Sequence, residues 1–167
     1  RRAAASAELE HAAGALVTCS GMAAIDLLLH DLAFGARVIC SHDAYGGTRR
    51  LLDGRGRGGR LQPVYIDTTD TEAVAAALNE PTALLLVETP SNPRLRISDL
   101  RALADLAHAA SAELAVDNTV LSPALQRPLE HGADYSVQSV TKLLNGHSDM
   151  VGGALCVADP DKLANLI

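Results

Sequence analysis

ALLLVETPSNPRLRISDLRALADLAHAA, residues 83 to 110, decides the fold. Its opening run, ALLLVE (83–88), is apolar up to a closing glutamate and shows none of the alternation of a strand with one wet face. Such a run reads as a strand buried on both faces. A proline-stiffened loop follows, TPSNP (89–93), and leucines and alanines then recur at helical spacing over Asp99–Ala110, with Ser98 placed to cap the helix. Strand, loop and helix in succession form the repeating unit of a parallel sheet covered by helices.

The unit recurs along the chain. RVIC (37–40), PVYID (63–67), AELAVD (112–117), YSVQS (135–139) and ALCVA (154–158) read as further strands, and Met22–Leu32 and Thr71–Leu78 as helices. Thr69 begins a T-x-x-E capping box with Glu72, and Asp159-Pro160 opens an amphipathic helix at the end of the chain. The expected fold class is therefore α/β, a mostly parallel sheet flanked by helices, in one domain. RRLLDGRGRGGR (49–60), with five arginines and four glycines, reads as a solvated, flexible loop without functional role.

Composition narrows the function classes. Of 167 residues, 48% are hydrophobic, which is enough for one buried core. Aromatics amount to 2%, tryptophan is absent and the formal charge is −6, which argues against nucleic acid or an anionic membrane as partner and leaves small molecules. Cys19, Cys40 and Cys156 have neither disulfide nor metal spacing and read as reduced core residues of a cytoplasmic protein. The most apolar helix, Met22–Leu32, is interrupted by Asp26, His30 and Asp31, so no run is expected to span a membrane, and none reads as a signal peptide. A chain that starts RRAAASAELE and stops at KLANLI, inside a helix, reads as a piece of a longer protein.

Ligands of open parallel sheets sit at the carboxyl ends of the strands. The polar residues expected there are Tyr45, Glu88, Asn92, Asp117, Asn118 and Ser139 to Lys142. Singly, each has a plain reading: Asp117-Asn118-Thr119 as a turn, ETPSNP as a stiff loop, Lys142 as a surface lysine. Together, an amine, a carboxylate, a tyrosine, an amide and paired hydroxyls at one sheet edge are what pyridoxal phosphate demands. CSGMAAIDLLL (19–29) adds an anion site, because Ser20-Gly21 turns the chain into a helix and leaves backbone N–H groups at Gly21 and Met22 exposed.

Five stretches, TCSGMAAI, AYGGTRRLL, VETPSNPRLRISDL, VDNTVLSPALQRPLEHGAD and SVTKLLNGHSDMVGGAL, occur in the order that resembles the pyridoxal-phosphate-dependent transsulfuration enzymes of cysteine and methionine metabolism, within the aspartate-aminotransferase-like fold. The resemblance covers essentially the whole chain, and LSPALQRPLEHGAD with KLLNGHSDMVGG is most similar to cystathionine γ-synthases. It implies that Lys142 binds the cofactor covalently, that Ser139 and Thr141 hold its phosphate together with the backbone of Gly21 and Met22, and that Asp117 pairs with the ring nitrogen. It further implies that Tyr45 stacks on the ring and assists proton movement, that Asn92 holds the phenolic oxygen, and that Thr119 lies close by.

Physical chemistry adds that a lysine in a dry site has its neutral, nucleophilic form favoured. His147 and Asp149 read as a structural turn behind it. The implied domain is a partial cofactor-binding large domain over 1–167, without the family's N-terminal arm and C-terminal small domain. The implied reaction is γ-replacement on an O-acylhomoserine with cysteine. Cystathionine γ-lyase, methionine γ-lyase and O-acylhomoserine sulfhydrylase activities are the alternatives within the family, and a noncatalytic assembly module is the alternative outside it. The parent protein is expected to be a homo-oligomer, a dimer of dimers, and the isolated 167 residues to be weakly stable and inactive.

Overall fold

Every apolar run read as a strand is one in the structure, a computed structural model that describes residues 2–166. In chain order the elements are α1 (Arg2–Glu10), β1 (Gly14–Thr18), α2 (Gly21–Asp31), β2 (Ala36–Ser41), α3 (Gly46–Arg57), β3 (Leu61–Ile66), α4 (Thr71–Ala77) and β4 (Leu84–Glu88). There follow α5 (Leu100–Ala109), β5 (Glu113–Asp117), α6 (Ser122–Leu125), a 3-10 turn (Pro128–His131), β6 (Tyr135–Gln138), β7 (Gly153–Val157) and α7 (Pro160–Asn165).

The seven strands form one sheet in the order β1-β7-β6-β5-β4-β2-β3, parallel throughout except for β7, which is antiparallel to both its neighbours. Each central strand sends alternate side chains to opposite faces. Val38, Cys40, Leu84, Leu86, Val137 and Leu155 pack with Ile25, Leu28 and Leu29 of α2 and Leu52 of α3. Ile39, Leu85, Val87, Leu114 and Val116 pack with Val74 of α4 and with Leu100, Leu103 and Ala107 of α5. Both faces of the central strands are therefore dry, which is why β2, β4 and β5 read as unbroken apolar runs. Pro63, which cannot donate to a ladder, lies in the edge strand β3.

The Arg/Gly segment departs from expectation. Most of it is helical, within α3, instead of a flexible loop. Leu52 is fully buried, Arg55 pairs with Asp26 of α2 at 2.5 Å, and Arg49 lies over the Tyr65 ring at 4.3 Å. Gly56 has the room that its missing side chain leaves, since a Cβ there would come 3.0 Å from Pro63 Cδ. Tertiary anchors override the poor helix propensity of glycine here. Arg60, just beyond, donates to the carbonyl of His30 in the last turn of α2 at 2.9 Å and to that of Ala33, just past the helix, at 2.8 Å.

Two caps also sit one residue later than the sequence suggests. Asp70, not Thr69, accepts from Glu72 N and Ala73 N, and Asp99, not Ser98, accepts from Ala102 N. In each case a carboxylate, which the helix dipole favours, takes the cap. Thr69 donates its hydroxyl to Asp67, and Ser98 is buried against Thr68. Cys40 and Cys156 are buried as expected, but Cys19 is exposed in the turn after β1. That strand and α1 had no apolar run long enough to mark them.

α1 is docked by one buried acid. Glu10, 1% exposed, accepts through Oε1 from Ser136 Oγ at 2.9 Å, Gln138 Nε2 at 2.6 Å and Asn118 Nδ2 at 3.3 Å, while its Oε2 has no partner. Glu10→Ala should leave Ser136 Oγ and Gln138 Nε2 unpaired, Asn118 Nδ2 keeping its bond to the Gln126 carbonyl, and lower the unfolding free energy by about 2–4 kcal/mol in urea titrations. A loss below about 1 kcal/mol would mean that the network does not hold α1.

Candidate functional site

The carboxyl ends of β2, β4, β5 and β6 open on one side of the sheet, where the turn after β1 and the start of α2 also lie. They enclose a cavity of about 590 Å³. All nine residues singled out as a candidate site line it: Gly21, Met22, Tyr45, Asn92, Asp117, Thr119, Ser139, Thr141 and Lys142. Ser20 and Glu88 share the lining, with Ile25, Val120, Leu143 and Val151 as apolar wall.

The start of α2 is an anion cradle by construction. Ser20 caps the helix, its hydroxyl accepting from Ala23 N at 3.1 Å, which leaves the N–H groups of Gly21 and Met22 without partners among the described residues. Gly21 must be glycine here, since a Cβ would stand 2.8 Å from Ser139 Cβ. The cradle and the strand-end loop after β6 therefore touch. Gly153, the first residue of β7, supports the same turn from below, with the Ser20 carbonyl where a Cβ would be.

Asp117 ends β5. Burial pushes its carboxyl up from the ordinary range, while the Thr119 hydroxyl at 2.6 Å and the Thr119 N–H at 3.1 Å pull the other way. A positive partner is what such a carboxylate lacks. The Thr119 hydroxyl also accepts from Ser139 N at 2.8 Å, so one side chain ties the acid to the loop that carries Lys142. Thr141 is already engaged, since its Oγ1 accepts from Gly152 N at 3.0 Å and lies 3.2 Å from Gly152 O. Ser139 Oγ and the Asn92 side-chain amide have no partners among the described residues.

The dry setting expected for Lys142 is not found: the residue is exposed, on a loop whose Leu143 and Val151 are 61% and 67% exposed. The chain's other lysine, Lys162, is held by Glu113 at 2.8 Å and Asp134 at 2.7 Å, at the opposite, amino edge of the sheet. His147 and Asp149 make the expected turn: His147 Nδ1 lies 2.6 Å from Asn145 O, and Asn145 Nδ2 donates to Asp149 at 2.8 Å.

Glu88 had been placed at the cavity by its position but given no task. It is 6% exposed, and burial first, then the charges of Asp117 and Asp43, push its carboxyl up to about 7 against the N–H groups of Tyr45 and Asn92. The signal in the sequence was a charge closing a wholly buried strand.

Residues 3–167 match the family model described as Cys/Met metabolism PLP-dependent enzyme. The chain belongs to this family. It is 47% identical to cystathionine γ-synthase of Escherichia coli (strain K12) over 96% of its own length and 42% of that protein's. It is 41% identical to a chloroplastic cystathionine β-lyase of Arabidopsis thaliana, over 95% of the chain and 34% of that protein. Among solved structures, cystathionine γ-synthase of Xanthomonas oryzae pv. oryzae, in complex with aminoacrylate and cysteine, superposes with a TM-score of 0.96 at 45% identity, over 98% of this chain and 43% of that one. The chain thus spans 34% to 43% of the length of these three relatives.

The residues present fit the family's cofactor. The free N–H pair at α2 and the unpartnered Ser139 hydroxyl suit a phosphate, and the half-buried Asp117, with no cation beside it among the described residues, suits a protonated ring nitrogen. Lys142 supplies an amine with no carboxylate partner among the described residues.

The raised carboxyls give the stability a signed pH dependence. Between its ordinary value of 4.5 and about 7, Glu88 keeps in the folded chain a proton that the unfolded chain has lost, and Asp117 shifts in the same direction. That contribution is full below the ordinary values and is lost as pH rises through the folded ones. Asp67, drawn down to about 2 chiefly by the Thr69 hydroxyl, acts with the opposite sign but only at lower pH. From pH 5 to 7, Glu88→Gln should therefore flatten the decline in unfolding free energy, by at most about 1.4 kcal/mol per pH unit. Parallel curves for the two proteins would contradict the assignment.

Proposed function

We propose that this chain forms the cofactor-holding part of a cystathionine γ-synthase-like enzyme, which exchanges the γ-acyloxy group of an O-acylhomoserine, such as O-succinylhomoserine, for the thiol of L-cysteine to give cystathionine. One observation carries the reading: nine residues from five separate strand and helix ends line a single cavity, in a chain of this family. The reading includes a partial large domain over 1–167, a homo-oligomeric parent built as a dimer of dimers, and a cytoplasmic location.

Pyridoxal phosphate, when bound, supplies an electron sink for bond breaking beside the substrate's amino group. The chain's own groups do the rest. The N–H groups of Gly21 and Met22 and the Ser139 hydroxyl hold the phosphate, aided by the helix dipole. Thr141 steadies the loop through its two bonds to Gly152, and its hydroxyl would be a further donor to the phosphate. Asp117, aligned by Thr119, would keep a proton on the ring nitrogen, Asn92 would donate to the phenolic oxygen, and Tyr45 would screen the ring from water. Lys142 Nζ would anchor the cofactor and, when free, would take protons in turn from the substrate Cα and Cβ and return them to those carbons after the exchange at Cγ. The Cγ–O bond breaks as the acyloxy group departs as a carboxylate, and the cysteine thiol gives up its proton as its sulfur bonds to Cγ.

A second reading, C–S bond cleavage by a cystathionine lyase, is favoured by the similarity to the β-lyase, because both reactions begin by removing the same Cα proton at the same lysine. The discriminating experiment supplies the full-length protein with O-succinylhomoserine, with and without cysteine, and identifies the products by mass spectrometry. Cystathionine formed only with cysteine is the expected result. Release of 2-oxo acid and ammonia from cystathionine, with no replacement product, would move the protein to the lyases. Lys142→Ala should lower turnover at least about a thousandfold, and near-normal turnover would remove Lys142 from its role.

A further inference from the structure

Strand order in the sheet reverses between β4 and β2: β5 and β6 continue to one side of β4, and β3 lies beyond β2 on the other. The chain leaving β2 enters α3, whose Leu52 packs on one face of the sheet, and the chain leaving β4 leads to α5, which packs on the opposite face. The two loops therefore diverge, and a crevice opens between them. Tyr45 stands on one lip and Asn92 on the other.

Glu88 spans that crevice. Its Oε2 accepts from Tyr45 N at 2.5 Å, and its Oε1 accepts from Asn92 N at 2.9 Å. Its own N–H donates to Ser41 Oγ at 3.3 Å, which ties its backbone to the end of β2. Each carboxylate oxygen thus serves a different lip, and the side chain sits almost entirely out of water. A second tie, from Ser91 Oγ to Asp43 at 2.7 Å, joins the same two loops further out. Ionised, as it is above about pH 7, Glu88 takes two N–H donors in this way without carrying a donor of its own, and the clamp is therefore tested at about pH 8. Charge-assisted bonds of this kind are the stronger ones, and a buried N–H left facing another donor is costly.

We infer that Glu88 is a positioning residue for the cofactor site, fixing through two backbone N–H groups the separation of the Tyr45 ring from the Asn92 amide. The inference rests on the proposed function only for what those two side chains hold. Both Glu88 carboxylate oxygens are taken up by these N–H groups, so its role is exercised through the two lips. Glu88→Gln keeps the shape but replaces one acceptor by an NH₂ group, so either Tyr45 N or Asn92 N loses its bond.

The test has two arms. In the chain without added cofactor, amide hydrogen exchange at Tyr45 or Asn92 should quicken at least tenfold in Glu88→Gln, while Val38 and Leu85, in the strands, keep wild-type protection. Unchanged exchange at both loop amides overturns the clamp, and loss of protection in the strands as well overturns the positioning role in favour of a general structural one.

In the second arm, pyridoxal phosphate is titrated into the full-length protein and followed by its visible absorbance and circular dichroism. Glu88→Gln should bind at least tenfold more weakly, with a diminished dichroic band. Combined with Tyr45→Ala it should lose less than the sum of the two single losses, because Glu88 acts partly through that ring. Wild-type affinity and dichroism in Glu88→Gln, or strictly additive losses, overturn the inference alone. Absence of cofactor uptake by the wild-type protein overturns the proposed function, and with it the purpose assigned to Glu88.

Discussion

A sheet packed between two apolar helical layers can hold polar side chains only at its ends or, as with Ser136 and Gln138 of β6, against a buried partner such as Glu10, and this constraint shapes the rest of the molecule. Leu84, Leu85, Leu86 and Val87 are all buried, two toward each helical layer, so the first place β4 can turn a charge toward a ligand is Glu88. The same holds for Asp117 at the end of β5. The polar chemistry of the chain is concentrated at the carboxyl edge because the interior leaves it nowhere else to go. The amino edge shows the contrast: there Asp134, Glu113, Lys162 and His108 neutralise one another and leave no group free to react.

Concentration alone would not make a site, since strand-end loops tend to move. Here they are cross-tied. The loop after β4 is fastened to the loop after β2 by Glu88 and by the Ser91–Asp43 bond, and to the region after β5 by Gln126, whose amide donates to Thr89 O at 2.9 Å and to Asn118 Oδ1 at 3.0 Å. Asn118 is fully buried and accepted by Glu10 on α1, so the first helix of the chain reaches the neighbour of Asp117. Thr119 completes the set by joining Asp117 to Ser139. A cofactor entering this edge meets donors whose spacing is set before it arrives, which is the condition for tight, oriented binding.

How much of this could be read from the sequence depends on whether the cause was local. Doubly buried strands announce themselves as unbroken apolar runs, so β2 to β7 were legible, and their alternation with helices gave the parallel sheet. The nine cavity-lining residues were legible because strand ends are where such folds place ligand groups, and because the ordered motifs resemble one family. The helical state of RRLLDGRGRGGR was not, since it depends on Asp26, Tyr65 and the packing of Gly56 on Pro63, all remote in sequence. Exposure of Lys142 could not be read either, because dryness is a property of what surrounds a residue. Glu88 was visible as a charge closing a buried strand, but its two N–H partners lie 43 and 4 residues away, and only the folded chain brings them to the same carboxylate.

The central claim is that the carboxyl edge of the sheet presents Lys142 to pyridoxal phosphate. The chain has two lysines, at opposite edges, one on an open loop of the cavity and one bound by two carboxylates. The most direct measurement is therefore to load the protein with pyridoxal phosphate, reduce with borohydride and map the modified peptide by mass spectrometry. The account predicts modification at Lys142, none at Lys162, and loss of the label in Lys142→Ala. A label at Lys162, or one that persists in Lys142→Ala, would contradict it.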